Sequence, residues 1–249
     1  MSLFSLQGKI YLGDRLPNGK LSKPVWVGNA PTCQLKLTTE TSNKTESFSG
    51  NRLQYGRLQK GKTAELSLTL DEWLAPNLAL GLYATALSVN TGSVTGEALP
   101  AGVVAGDLIK LDHPFISALA ITDSAGTPAT VPGSKWSVES PNSGLMKFSD
   151  VATYVQPFKA AYSYAAAQGF TIFTATPPER YFMLDGINTE TGEAVIVRLY
   201  RVRFDPMGQL DVITDDFGNL PMTGSVLYDV VNGADANLGG FGKIEQQVA

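Results

Sequence analysis

At 249 residues the chain is long enough to bury a substantial core, in one large β domain or two small ones. Charged residues make up only 17%, beside 25 glycines and 14 prolines, a turn-rich balance that favours many short strands over helices. A net charge of -4 argues against a basic groove built to grip nucleic acid, though not against a channel through which it passes, and the single cysteine, Cys33, excludes an internal disulfide and a cysteine-based zinc site.

The chain opens without the charged start and apolar core of a secretory signal, and no apolar run approaches the roughly 18 residues that a membrane-spanning helix needs. Folding in a cytoplasm, with no membrane insertion, is therefore expected. Residues 6–12 read as a short strand, ended by Gly13-Asp14 and a Leu-Pro-Asn-Gly turn at 16–19, and residues 24–27 with Trp26 restart the sheet. Residues 33 to about 42 alternate, with Cys33, Leu35 and Leu37 on one face and Gln34, Lys36, Thr38 and Glu40 on the other. Residues 62–70 do likewise, Leu66, Leu68 and Leu70 inside and Glu65, Ser67 and Thr69 outside. Two such strands side by side make a sheet with one wet face, and by pattern alone an ordinary solvent-exposed surface accounts for it.

Between them lie residues 43–61, long for a hairpin loop; loops of that length in compact domains are functional or disordered. Phe48, Leu53, Tyr55 and Leu58 sit there among Lys44, Arg52, Arg57 and Lys60, a mixture that subunit interfaces recruit, although a self-packed surface loop fits the same residues. Residue 71 to about 87 is the one predicted helix. Asp71 is placed to cap it, Leu74, Leu78 and Leu82 share a face, and Pro76 falls near its first turns.

From 88 to 150 the composition shifts to glycine, proline, serine and threonine between short predicted strands at 107–111, 118–122, 135–139 and 145–148. The reading is one domain over 1–249 with a β-rich inserted module at about 88–150; a small separate domain with two linkers is the alternative. Residues 180–231 read as a β-meander with its turns written into it. In its second run, Ala194, Ile196, Tyr200, Val202 and Phe204 share one parity, with Val195, Val197, Leu199, Arg201 and Arg203 on the other, so one face is apolar and the other ends in two arginines. Residues 232–249, rich in glycine, have little to bury and are expected to form a flexible tail.

No catalytic constellation emerges, and no cofactor is expected. His113, the single histidine, has no second histidine or cysteine with which to bind a metal, and Asp215-Asp216 point to opposite faces if on a strand, which favours a turn. No nucleophile elbow, phosphate loop or dinucleotide fingerprint is present.

The serial order of a Phe-Met-Leu strand at 182, an Asn-Thr-Glu-Thr-Gly turn at 188, the run Val-Ile-Val-Arg-Leu-Tyr-Arg-Val-Arg-Phe ending at 204, and the closing Asp-Phe-Gly-Asn-Leu-Pro-Met-Thr-Gly-Ser-Val-Leu-Tyr-Asp resembles the C-terminal part of major tail tube proteins of tailed bacteriophages. Trp-Val-Gly-Asn-Ala at 26 before a long polar strand, and the Gly133 and Gly144 segments of the middle module, are similar to the same family. The resemblance implies a mainly β fold, a tail-tube β-sandwich or barrel with one flanking α-helix, long loops and an embedded β-module. It implies rings of six subunits stacked into a tube in the virion tail, assembled in the host cytoplasm with tape-measure, tail-tip and tail-terminator proteins. DNA would pass without specific binding. Gln34, Lys36, Thr38, Glu40, Glu65, Ser67 and Thr69 would then line the lumen, and Phe48, Arg52, Leu53, Tyr55, Arg57 and Leu58 would reach the next ring. The rivals are the tube of a contractile tail or secretion apparatus, and a carbohydrate-binding β-sandwich, for which Trp26, Trp73 and Trp136 would have to form an exposed platform.

Overall fold

The computed structural model describes residues 3–248, which divide into two compact units: one formed by the chain up to Thr85 and again from Phe170, the other by Ala86–Gly169. The larger unit begins with β1 (Leu6–Arg15) and β2 (Leu21–Trp26), joined by the Leu-Pro-Asn-Gly turn, in which Gly19 adopts a φ of 79°. Next come β3 (Thr32–Thr45) and β4 (Gln54–Leu70), which are longer than their apolar alternation suggested. Their antiparallel register holds from Thr32 opposite Thr69 to Thr45 opposite Gln54, with shifts after Glu40 and after Lys44. The expected nineteen-residue loop is therefore mostly ladder, and only residues 46–53 form the connection. Polar strands of glutamine, threonine and serine pair through their backbones as well as apolar ones do, so the core pattern marks only the buried half of a hairpin.

The predicted helix shrinks to α1 (Ala75–Gly81). Its N-cap is Leu74 in an extended conformation, with Pro76 in the first turn, where its missing N–H costs nothing. Asp71 does not cap it; its carboxylate accepts from the Asn29 amide at 2.5 Å. Leu78 and Leu80 are buried on the sheet's core face. At the other end Tyr83 has a φ of 50°, and the chain passes into β5 (Thr85–Val89).

The smaller unit holds β6 (Gly92–Ala98), β7 (Leu108–Lys110), β8 (Ile116–Thr122), β9 (Thr130–Val131), β10 (Trp136–Ser140), β11 (Leu145–Phe148) and β12 (Lys159–Tyr164). A four-stranded sheet in the order β6-β12-β8-β9 and a three-stranded sheet β10-β11-β7 enclose a core with Leu111, Ile121, Met146, Phe148 and Phe158 fully buried. This unit runs beyond the 88–150 expected for the module because β12 bridges β6 and β8. β13 (Ala167–Thr171) pairs with β5.

β14 (Arg180–Asn188), β15 (Ala194–Phe204) and β16 (Leu220–Val226) form the expected meander, completing the order β2-β1-β14-β15-β16-β4-β3. The single alternation read along β15 does not hold. Between the pairs Arg180–Val202 and Phe182–Leu199, one residue of β14, Tyr181, stands opposite two of β15, Tyr200 and Arg201, and the extra residue moves the core face from Val195 and Leu199 to Val202 and Phe204. Tyr200 faces the opposite side, where its ring meets Tyr181 at 5.7 Å and its hydroxyl donates to the Leu238 carbonyl at 2.8 Å.

The segment expected as a flexible tail forms regular elements over its described residues, and Ala249 lies outside them. α2 (Val230–Gly233) is capped by Asp229, and β17 (Gly242–Gln246) pairs with the first half of β15, on the edge whose second half takes β16. Its glycines serve close approach. A Cβ at Gly240 would lie 2.0 Å from the Tyr228 ring, and one at Gly242 would lie 2.2 Å from the Arg198 carbonyl oxygen. Glycine here signals contact with backbone and ring rather than disorder. Asp229, fully buried, accepts from Arg15 Nε at 2.7 Å and Nη2 at 2.8 Å and from the Val231 amide at 2.9 Å. The Arg15 guanidinium holds its carboxyl well below the usual carboxylate range, against the opposing effect of burial.

Candidate assembly surfaces

The seven residues expected on a wet face do share one. Gln34 lies opposite Ser67, Lys36 opposite Glu65, and Thr69 opposite Thr32, with 3.0 Å between the two threonine hydroxyls. Thr38 faces Thr63 and Glu40 faces Gly61. Directly opposed residues project to the same side of a sheet, so these form cross-strand rows. The rows continue beyond β3 and β4. Ser225 stands opposite Glu65, and Arg203 opposite Ser225, which makes one row of Lys36, Glu65, Ser225 and Arg203; Thr223 extends the row of Gln34 and Ser67. The signal was available in β16, whose Leu220, Met222, Gly224 and Val226 are buried while Pro221, Thr223 and Ser225 are exposed.

Arg203 changes the electrostatics of the face. Glu40 and Glu65 are balanced by Lys36 and Arg203, instead of outnumbering one lysine. Lys36 Nζ lies 3.4 Å from Glu65 Oε2, both side chains mostly in water, so this pair contributes at most about 1 kcal/mol.

The other face of β3 also departs from expectation. Leu37 is 74% exposed and Leu35 is 38% exposed, because β3 is the last strand of the sheet among the described residues. With Ala64 they form one wall of a groove of about 410 Å³, and Leu199, Phe241 and Ile244 form the other.

Of the residues expected on the long loop, Phe48, Arg52 and Leu53 lie in the 46–53 connection, while Tyr55, Arg57 and Leu58 are on β4. Phe48, Leu53, Tyr55 and Leu58 are all well exposed, and the Phe48 and Tyr55 rings meet edge to face at 6.1 Å. What orders this tip was not read from the sequence. Glu46 is buried beneath it and accepts from the amides of Phe48 and Ser49 at 2.8 Å each, from the Leu53 amide at 3.3 Å, and from the Ser49 hydroxyl. The Ser49 hydroxyl first, and then the ring of amides, bring its pKa from 4.5 to about 2. A folded-state value below the unfolded one means that Glu46 stabilises the tip fully above about pH 4.5 and loses that effect as pH falls towards 2. The amide resonances of Phe48 and Ser49 are expected to titrate with a midpoint near 2; a midpoint near 4.5 would show a carboxylate free of the tip. Glu46→Gln should loosen the tip at neutral pH.

The tryptophans are separately employed. Lys9 Nζ sits 5.6 Å from the Trp26 ring centre, Trp136 donates to the Val131 carbonyl at 3.1 Å inside the smaller unit, and Trp73 stands exposed after β4. His113 stacks on Tyr164 with ring centres 3.8 Å apart. Among the described residues no group of three His, Cys, Asp or Glu side chains is placed to hold a metal ion, and no helix is long and apolar enough to cross a membrane.

Fold and surfaces together define a mainly β protein of antiparallel sheets whose longest hairpin is exposed. The chain belongs to the family described as "Protein of unknown function UCP028589", whose model matches residues 3–245. No curated protein matches it.

Proposed function

We infer that the protein is a structural subunit that associates with copies of itself, and that its function is that of a major tail tube protein in a phage virion: stacked rings, six subunits each, enclosing a conduit for DNA. The observation that carries this reading is β3. It is a 14-residue edge strand, exposed along most of its length, whose outer side pairs with no strand among the described residues, and it leaves Leu37 largely and Leu35 partly open to solvent. Soluble proteins shorten, bulge or charge such edges, and a strand of this kind is a template for pairing with another chain. The polar face of Gln34, Lys36, Thr38, Glu40, Glu65, Ser67 and Thr69 supplies the lumen, and tape-measure, tail-tip and tail-terminator proteins are the other partners.

Concentrated protein, alone or with tail-tip proteins as initiator, should give rings or tubes by electron microscopy and a rising mass by light scattering. A monomer under both conditions rejects the reading.

A lumen of balanced charge neither grips nor strongly repels a duplex. Glu40→Lys with Glu65→Lys raises the net charge of each subunit by four units without touching the core, so tubes should still form. DNA should then bind the wall through counterion release and leave more slowly. Normal ejection through normal mutant tubes would remove these residues from the lumen.

A further inference from the structure

The connection between β15 and β16, residues 205–219, carries Val212, Ile213 and Phe217 at 81, 91 and 94% exposure. With Trp73, itself 64% exposed, it frames a pocket of about 590 Å³ lined by Asp71, Leu210, Asp211, Phe217 and Leu220. The connection contains four aspartates (Asp205, Asp211, Asp215 and Asp216) and no lysine or arginine, and Glu72 adjoins Asp71. An exposed apolar surface with this much uncompensated negative charge suits a basic, aromatic partner.

The same chain owns one. The hairpin tip presents Phe48, Leu53 and Tyr55 among Lys44, Arg52, Arg57 and Lys60, while its one acid, Glu46, is engaged by the tip's own amides. Tip and pocket stand at opposite ends of one ladder. β4 starts at the tip with Gln54 and ends with Leu70, which pairs with Leu220 on the pocket's wall. At about 3.3 Å per residue the two ends are roughly 50 Å apart, so a chain cannot fill its own pocket. A contact between two different surfaces of one molecule, pointing along one direction, repeats as an open series.

We propose that the tip of one copy seats in the acidic pocket of the next, Phe48 and Leu53 against Trp73 and Phe217, and Arg52 and Arg57 towards Asp211 and its neighbours. This rests on the reading of a self-associating subunit and names the surface that receives the hairpin.

The test is carried out on the full chain in a Cys33→Ser background. Phe48→Cys and Phe217→Cys are prepared separately and then mixed under mild oxidation. Both positions are exposed, and circular dichroism checks the fold. The mixture should give a disulfide-linked dimer that neither variant gives alone. In parallel, Arg52→Asp, which suits the φ of 52° at that position, and Asp211→Lys should each raise the concentration needed for assembly by about tenfold, and the two together should restore it. If the parent chain assembles but the mixed cysteines do not link and the charge swap does not rescue, the tip docks elsewhere and this proposal is overturned while self-association stands. If the parent chain does not assemble at all, the underlying reading fails, and this one with it.

Discussion

A chain in which residues 41–60 are replaced by Asn-Gly, joining Glu40 to Gly61 by a two-residue turn, is expected to fold and melt close to the parent yet form no stacked assemblies. The deleted segment has one buried side chain, Glu46, and that residue serves only the deleted tip. The β3–β4 pairing that carries Leu66, Leu68 and Leu70 in the core lies on the retained side of Glu40 and Gly61. Asn-Gly adopts the turn that a two-residue hairpin requires. Thermal melting followed by circular dichroism, with electron microscopy of the same sample, separates the outcomes. Unfolding on deletion would show that the hairpin supports its own subunit, and tubes of normal length would remove it from stacking.

The largest effect on stability is expected at Asp229. Asp229→Ala removes two charge-assisted hydrogen bonds from Arg15, the cap of α2, and a contact with Asn232, whose side-chain amide also donates to the Gly19 carbonyl. These losses together cost about 3 kcal/mol, with Arg15 left beside a cavity. For a chain of this size that corresponds to a fall in Tm of roughly 6–12 °C. The acid limb should follow the same group. Its folded-state pKa is depressed, so its contribution is complete above the ordinary carboxylate range and is lost as pH falls below it. Arg15→Lys should give an intermediate loss, since a lysine keeps the charge but not the fork. A melting temperature unchanged in Asp229→Ala would mean that the segment from α2 onward is not clamped through this pair.

The sequence made some of this legible and hid the rest for identifiable reasons. The meander from β14 to β16 and the wet rows of β3 and β4 follow from alternation, which reports burial directly. The bulge in β15 does not, because one inserted residue inverts every side chain beyond it and leaves the composition unchanged. The outer half of the β3–β4 hairpin resembles a loop in sequence because its strands have no core beneath them, so no apolar period marks them. The glycine-rich tail suggests flexibility because glycine has the same letter whether it provides freedom or permits contact; Gly240 and Gly242 do the latter. Nothing in the sequence distinguishes Glu46 from its charged neighbours, and only the fold of the tip shows four donors converging on it.

The hairpin beyond the shift at Glu40 also has a mechanical meaning. From there to Thr45 the two strands run for about 20 Å paired with each other and with no third strand among the described residues. Such a ribbon resists stretching, because that would break its hydrogen bonds, but it bends and twists far more readily than the packed sheet at its base. A rigid knob is thus mounted on a rigid body through a compliant arm. In a filament joined through such arms, curvature is absorbed in the ribbons while the contacts at their ends stay intact, so the filament flexes without coming apart.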